Sequence, residues 1–171
     1  NQLKKFLKSK YVLCLNSGTS ALHISLKLLG ANERTEIMMP SLTYVASANS
    51  VIYNKADPYF IDVNEYDYGL NPETIINEIK KNFIKKGKTL FNKKTKKKLI
   101  AIMPVHVFGI PSNMKEIMKI AKKYGLAVIE DAADSLGSKY KNKLTGTFGK
   151  IGVLSFNGNK TITSGSGGAI I

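Results

Sequence analysis

Tryptophan is missing from the 171 residues, and three other chemically telling residue types are nearly so: one arginine (Arg34), one cysteine (Cys14) and two histidines (His23 and His106). A lone cysteine excludes a disulfide framework within the chain. Set inside "YVLCL", Cys14 reads as a core residue, and a reducing, cytoplasmic setting is expected. Two histidines, one on a helix just after a turn, leave too few converging ligands for a metal centre, so no metal is expected. No apolar run approaches the ~20 residues of a membrane helix, and "YVLCL" is too short for the apolar part of a secretory signal. No membrane partner is expected.

The scarcity of arginine also bears on the net charge, which is +14. Residues 80–98, "KKNFIKKGKTLFNKKTKKK", hold ten lysines and no acid, leaving +4 (14 − 10) for the rest. Readers of base edges and phosphates lean on the planar arginine fork. A lysine block without arginine is instead expected as an exposed, solvated connection with no part in the chemistry. No nucleic-acid partner is expected.

What is present is an alternation. Short apolar runs, "YVLCL" (11–15), "EIMMP" (36–40), "YFIDV" (59–63), "LIAIMPV" (99–105), "LAVIED" (126–131) and "IGVLSF" (151–156), alternate with stretches of helical period. Leu22, Leu26 and Leu29 recur at i, i+4 and i+7 before Gly30; Ile75, Ile76 and Ile79 follow the cap pair Asn71-Pro72; a third helix stops at Gly125. "GSKYKNKLTGTFG" reads as a hairpin or irregular stretch. Strand-helix repetition at this pace predicts an α/β fold with a mainly parallel sheet flanked by helices, its strands buried on both faces.

Ligands in such sheets bind at the carboxyl ends of the strands. The polar residues that fall there are Ser17–Ser20, Ser41–Tyr44, His106, Glu130–Asp134 and Ser155–Lys160. "NSGTS" offers backbone N–H groups, hydroxyls and a helix N-terminus to a phosphate. "VIEDAADS" ends a buried strand in carboxylates, one of which could hold a cationic ring nitrogen. Tyr44 could stack on a flat ring. In "SFNGNKTITSGSGGA" Lys160 stands alone among small residues, away from the surface runs. Phosphate cradle, stacking aromatic, carboxylate and lone amine together are the parts required by pyridoxal phosphate. His106 reads more simply as a satisfied structural residue.

The blocks "NSGTSALHISL", "PSLTYVASANSV", "PVHVFGIPSNM", "VIEDAADSLGS" and "GVLSFNGNKTITSGSGGAI" resemble, in order, those of the DegT/DnrJ/EryC1/StrS family of sugar aminotransferases. The resemblance implies a fold-type I, pyridoxal phosphate-dependent transferase. It implies Lys160 as the Schiff-base lysine, Asp131 as partner of the pyridine nitrogen and Tyr44 as the stacking residue. Gly18, Thr19 and Ser155 are implied as phosphate holders. Asp134 stands where many members carry Gln or His near the cofactor's phenolic oxygen, so its carboxylate is expected to be shielded by protonation or by a bonded neighbour. The implied substrates are a nucleotide-linked 4-keto-6-deoxy sugar and an amino donor, glutamate, with a homodimer as the working unit. An acidic residue 134, "NGNK" and the lysine-rich stretch resemble the subgroup serving legionaminic-acid-type nonulosonates. The chain opens without Met and stops within an apolar run, so a segment of a longer protein is expected, and the resemblance implies that residues 1–171 are part of a PLP-binding large domain without the small C-terminal domain. The rival readings are a sugar dehydratase, which the presence of Lys160 opposes, and an inactive fragment with a polyanion-binding lysine loop.

Overall fold

The computed structural model describes residues 2–171. A short helix α1 (Gln2–Leu7) leads into β1 (Leu13–Leu15), α2 (Gly18–Leu28), β2 (Thr35–Pro40), α3 (Val45–Tyr53) and β3 (Asp57–Ile61). Next come α4 (Pro72–Asn82), β4 (Phe83–Lys86), β5 (Thr89–Asn92), β6 (Lys98–Ile102), a 3-10 turn (Val107–Gly109), α5 (Met114–Tyr124) and β7 (Ala127–Asp131). A small hairpin of β8 (Lys139–Tyr140) and β9 (Lys143–Leu144) precedes β10 (Ile151–Ser155) and β11 (Gly168–Ile170).

The helix ends are set by local chemistry. Ser17 caps α2 by accepting from the Ser20 N–H at 3.0 Å. Asn71 caps α4 by accepting from the N–H groups of Glu73 and Thr74, with Pro72 supplying a preset φ in the first turn. Gly125 ends α5 in the left-handed region at φ 70°, a conformation that costs glycine little.

Nine of the strands form one sheet, whose main path runs β1-β11-β10-β7-β6-β2-β3 with β4 and β5 attached through β6, while β8 and β9 pair only with each other. Pairings from β10 through β3 are parallel, while β11 runs antiparallel to both β10 and β1. Alternate residues of the central strands face opposite layers, as strand geometry requires. Ile37, Met39, Ala101, Met103, Ile129 and Val153 pack with Leu22 and Leu26 of α2 and Val51 of α3. Met38, Ile102 and Val128 pack on the other face with Ile75 and Ile79 of α4 and Met114 and Ile117 of α5. The expected sheet, buried on both faces, is present in its central strands. No described helix is long and apolar enough to cross a membrane.

Two expectations are corrected. Cys14 is exposed rather than buried, because β1 is an edge strand with a three-residue pairing to β11 alone. The lysine-rich stretch is no loose connection: β4 and β5 form an antiparallel hairpin, and β5 pairs with β6 at Leu90 with Leu99 and Phe91 with Lys98. Period-two burial of Leu90 and Asn92, beside Phe83, anchors the hairpin while its lysines point to water. The following turn is tied down by buried Glu36, which accepts from Asn92 Nδ2 and, at 2.6 Å, from Thr95 Oγ1. Lys97 pairs with Asp57 at 2.6 Å.

This anchoring sets a measurable contrast. Leu90→Ala should lower unfolding free energy by ~2–5 kcal/mol, the usual cost of emptying a buried leucine site. Replacing exposed Lys94 by Gln should change it by no more than ~0.5 kcal/mol. Urea unfolding of the full-length protein checks both; equal, small effects would return the hairpin to the status of a loose connection.

Candidate active site

The carboxyl ends of β7 and β10 lie side by side, with Val153 paired to Asp131. Asp131 is only 4% exposed. Its Oδ2 accepts a hydrogen bond from Ser47 Oγ at 2.6 Å, and its Oδ1 accepts from the Ala133 N–H at 3.2 Å. Ser47 lies in the first turn of α3 and is itself 2.7 Å from Thr43 Oγ1. Burial pushes the Asp131 carboxyl above the usual carboxylate range. The Ser47 and Ala133 hydrogen bonds and the nearby His106 pull it back down, and the negative charge of Asp134 adds to the rise. A desolvated carboxylate whose direct partners are neutral is a site for a cation.

Lys160 comes from the loop after β10, where its N–H donates to the Asn157 carbonyl at 3.0 Å. Its side chain is 12% exposed, and Nζ donates to Asp134 Oδ1 at 2.5 Å. The same Nζ sits 5.8 Å from the centroid of the Tyr44 ring. Tyr44 precedes α3 as its N-cap, makes no side-chain cap bond and is 72% exposed. Helix α3 thus brings both an aromatic face and the Ser47 hydroxyl toward the strand ends.

Gly18 and Ser155 form the third part. A Cβ on Gly18 would lie 2.9 Å from Ser155 Cβ and 3.1 Å from its Oγ, so only glycine lets the α2 N-terminus approach the end of β10 this closely. The first N–H groups of a helix have no intrahelical acceptor, and here they open beside the Ser155 hydroxyl and half-buried Thr19. Of the sequence-expected residues, the structure joins Tyr44, Lys160 and Asp134 by direct proximity, and Gly18 to Ser155. The pairing of β7 with β10 brings the two groups to the same edge.

His106 and Glu130 belong to the scaffold. His106 Nε2 lies 3.2 Å from Glu130 Oε2, and His106 Nδ1 accepts from the Ser112 N–H at 3.2 Å, both side chains fully buried. Glu130 also accepts from the N–H groups of Gly146, Phe148 and Gly149. Among the described residues no three His, Cys, Asp or Glu side chains converge as metal ligands. The residue that motif reading passed over is Ser47. Its signal was a hydroxyl on the inward face of a small-residue helix, opposite a strand ending in a carboxylate.

The chain matches the family model described as "DegT/DnrJ/EryC1/StrS aminotransferase family" over residues 1–171, and it belongs to that family. It is 41% identical over 162 residues to GDP-perosamine synthase of Escherichia coli O157:H7, a match covering 95% of this chain and 40% of that protein. A DegT DnrJ EryC1 StrS aminotransferase from Brucella abortus superposes with a TM-score of 0.86 at 33% identity, over 99% of this chain and 43% of that one. NtdA from Bacillus subtilis, with bound cofactor PMP, superposes with a TM-score of 0.79 at 30% identity, over 99% and 36%. The chain therefore spans about two fifths of the length of the relatives it matches. Pyridoxal phosphate is the cofactor of this family, and the residues here fit it. A buried carboxylate with neutral direct partners suits a protonated ring nitrogen, a helix N-terminus brought by Gly18 against the Ser155 hydroxyl suits a phosphate, and a shielded amine suits an aldehyde.

Burial of Asp131 has a consequence for stability. Its folded proton affinity is raised, so the folded state holds the proton to higher pH than the unfolded chain does. The cost of burying the charge is absent below the unfolded value of about 4 and grows until pH passes the raised folded value. Asp131→Asn should therefore raise the melting temperature of the cofactor-stripped full-length protein at neutral pH, with the gain shrinking as pH falls toward 4. Thermal melts across that range check the sign; a variant less stable at neutral pH would contradict it.

Proposed function

We propose that the full-length protein is an aminotransferase that moves an amino group from glutamate to C4 of a nucleotide-linked 4-keto-6-deoxy sugar. The observation carrying this reading is Asp134, which pairs with the shielded Lys160 amine at 2.5 Å and whose charge is felt by the desolvated Asp131 carboxylate, on the sheet edge where Gly18 packs against Ser155. The matched GDP-perosamine synthase supports a nucleotide-sugar substrate, and the resemblance to the legionaminic-acid-type subgroup supports a role in nonulosonate or surface-polysaccharide synthesis. The exposed thiol of Cys14 supports a reducing, cytoplasmic setting. Exposed Val45, Ile52 and Tyr53 on α3, next to Tyr44, support a homodimer that covers this face.

In this reading Gly18, Thr19 and Ser155 would hold the cofactor phosphate, Tyr44 would face its ring and Asp131 would keep a proton on its ring nitrogen. When bound, the cofactor supplies an aldehyde that carries the amino group and a ring that draws electrons from the bond to be broken. Lys160 Nζ would take the proton from the substrate carbon that loses the amino group and deliver it to the cofactor's aldehyde-derived carbon, and the reverse in the second half, as base and then as acid. Ser47 keeps the Asp131 carboxylate aimed, and the buried strand end strengthens its hold on a positive charge. The small C-terminal domain of the longer protein closes the site over the sugar.

Borohydride reduction of the cofactor-loaded full-length protein, followed by peptide mass mapping, should place a pyridoxyl group on Lys160; a label on Lys150 instead would overturn the assignment. Asp131→Asn should lower turnover with glutamate and a nucleotide 4-keto sugar by roughly 10²–10³, the usual effect of losing one aimed electrostatic partner. Steady-state kinetics check this, and near-wild-type turnover at full cofactor occupancy would remove Asp131 from its role.

A further inference from the structure

The Lys160–Asp134 pair is built from both sides. Lys160 is held by its backbone bond to Asn157, and the neighbouring Thr161 hydroxyl donates to the Asp134 carbonyl at 3.3 Å. That carbonyl is also packed against Gly109, where a Cβ would lie 3.1 Å from it. Gly109 takes φ 80° and donates its N–H to the carbonyl of His106, whose ring is clamped by Glu130 and Ser112. The Asp134 backbone is therefore fixed by a buried scaffold, and its carboxylate meets the amine at 2.5 Å. Asp131 is engaged by Ser47 and the Ala133 N–H, and the Tyr44 ring offers only a face at 5.8 Å. Asp134 is the carboxylate in contact with the amine.

We infer that Asp134 is a positioning residue that holds the Lys160 amine in an ion pair whenever that amine is unattached, and so limits how fast an aldehyde cofactor is captured. The inference rests on the proposed role of Lys160. Capture needs a neutral amine: the ammonium first gives one proton to solvent, and its lone pair then forms the carbon–nitrogen bond. The aldehyde oxygen takes the two remaining amine hydrogens and leaves as water, with no net oxidation or reduction. An amine engaged by a carboxylate must give up that contact before its lone pair is free. The pair therefore stabilises the unattached state and leaves the attached state without the same benefit.

The test uses the full-length protein stripped of cofactor, at one fixed pH, as wild type, Asp134→Asn and Asp134→Glu. Stopped-flow mixing with pyridoxal phosphate measures capture, and dilution into a trap measures release. Acetylation of Lys160 by a water-soluble acyl ester, read by mass spectrometry, reports on the amine without any cofactor. Loss of a partly exposed ion pair predicts that Asp134→Asn captures pyridoxal phosphate about fivefold faster and is acetylated at Lys160 about fivefold faster. Release should stay within about twofold, and Asp134→Glu, which keeps a carboxylate, should stay close to wild type. Unchanged or slower capture and acetylation in Asp134→Asn would overturn the inference, as would faster release with unchanged capture, which would assign the carboxylate to the bound cofactor. A pyridoxyl label on another lysine would instead defeat the proposed role of Lys160, so the two failures read differently.

Discussion

Two carboxylates in succession at the end of β7 organise the rest of the molecule. Side chains of adjacent strand residues point to opposite faces, so Glu130 and Asp131 enter different layers. Glu130 faces the layer of Val128 and gathers three backbone N–H groups from residues 146–149 together with the His106 ring. Asp131 faces the layer of Ile129 and meets only Ser47 and one backbone N–H. One charge is fully employed in holding loops in place. The other is buried with less compensation, and it feels the charge of Asp134, the partner of Lys160.

That division explains how a rigid frame can carry a reactive edge. The clamp on His106 fixes the turn containing Gly109, which in turn seats the backbone of Asp134. Helix α3 is linked to Asp131 through Ser47, and its N-cap is Tyr44. Two independent segments therefore reach the same point from opposite layers, each tied to a neighbour in β7. Desolvation raises the energy of Asp131 until a cation arrives, so stability is given up where function is proposed to need it.

Much of this was legible before any coordinates. Runs such as "IMM" and "IAIM" announce strands buried on both faces, and the isolation of Lys160 among small residues marks it apart from the lysine blocks. Three features were hidden for physical reasons. In β4 and β5 the lysines mask a period-two pattern whose buried members are few, Phe83, Leu90 and Asn92. Cys14 sits in an apolar run that looks like core, but burial depends on the sheet position of β1, which only tertiary pairing decides. Ser47 is a helix hydroxyl with no motif; its importance comes from a residue 84 positions away.

The outer strands carry a consequence for how the protein is made. Strand β1 finds its sheet partner only in β11, pairing Leu13 with Ile170, and Ser17 bridges to Gly167. A ribosome releases the N-terminal turn long before the segment that seats it. The central strands, whose neighbours are closer in sequence, can assemble while synthesis continues, but the turn at Gly18 must wait for residues 167–170 to emerge. Pairings between such distant segments close slowly because of their loop entropy. The proposed phosphate-holding corner therefore forms only after the central strands have been made, and a nascent chain stalled before Gly167 would hold those strands without that corner.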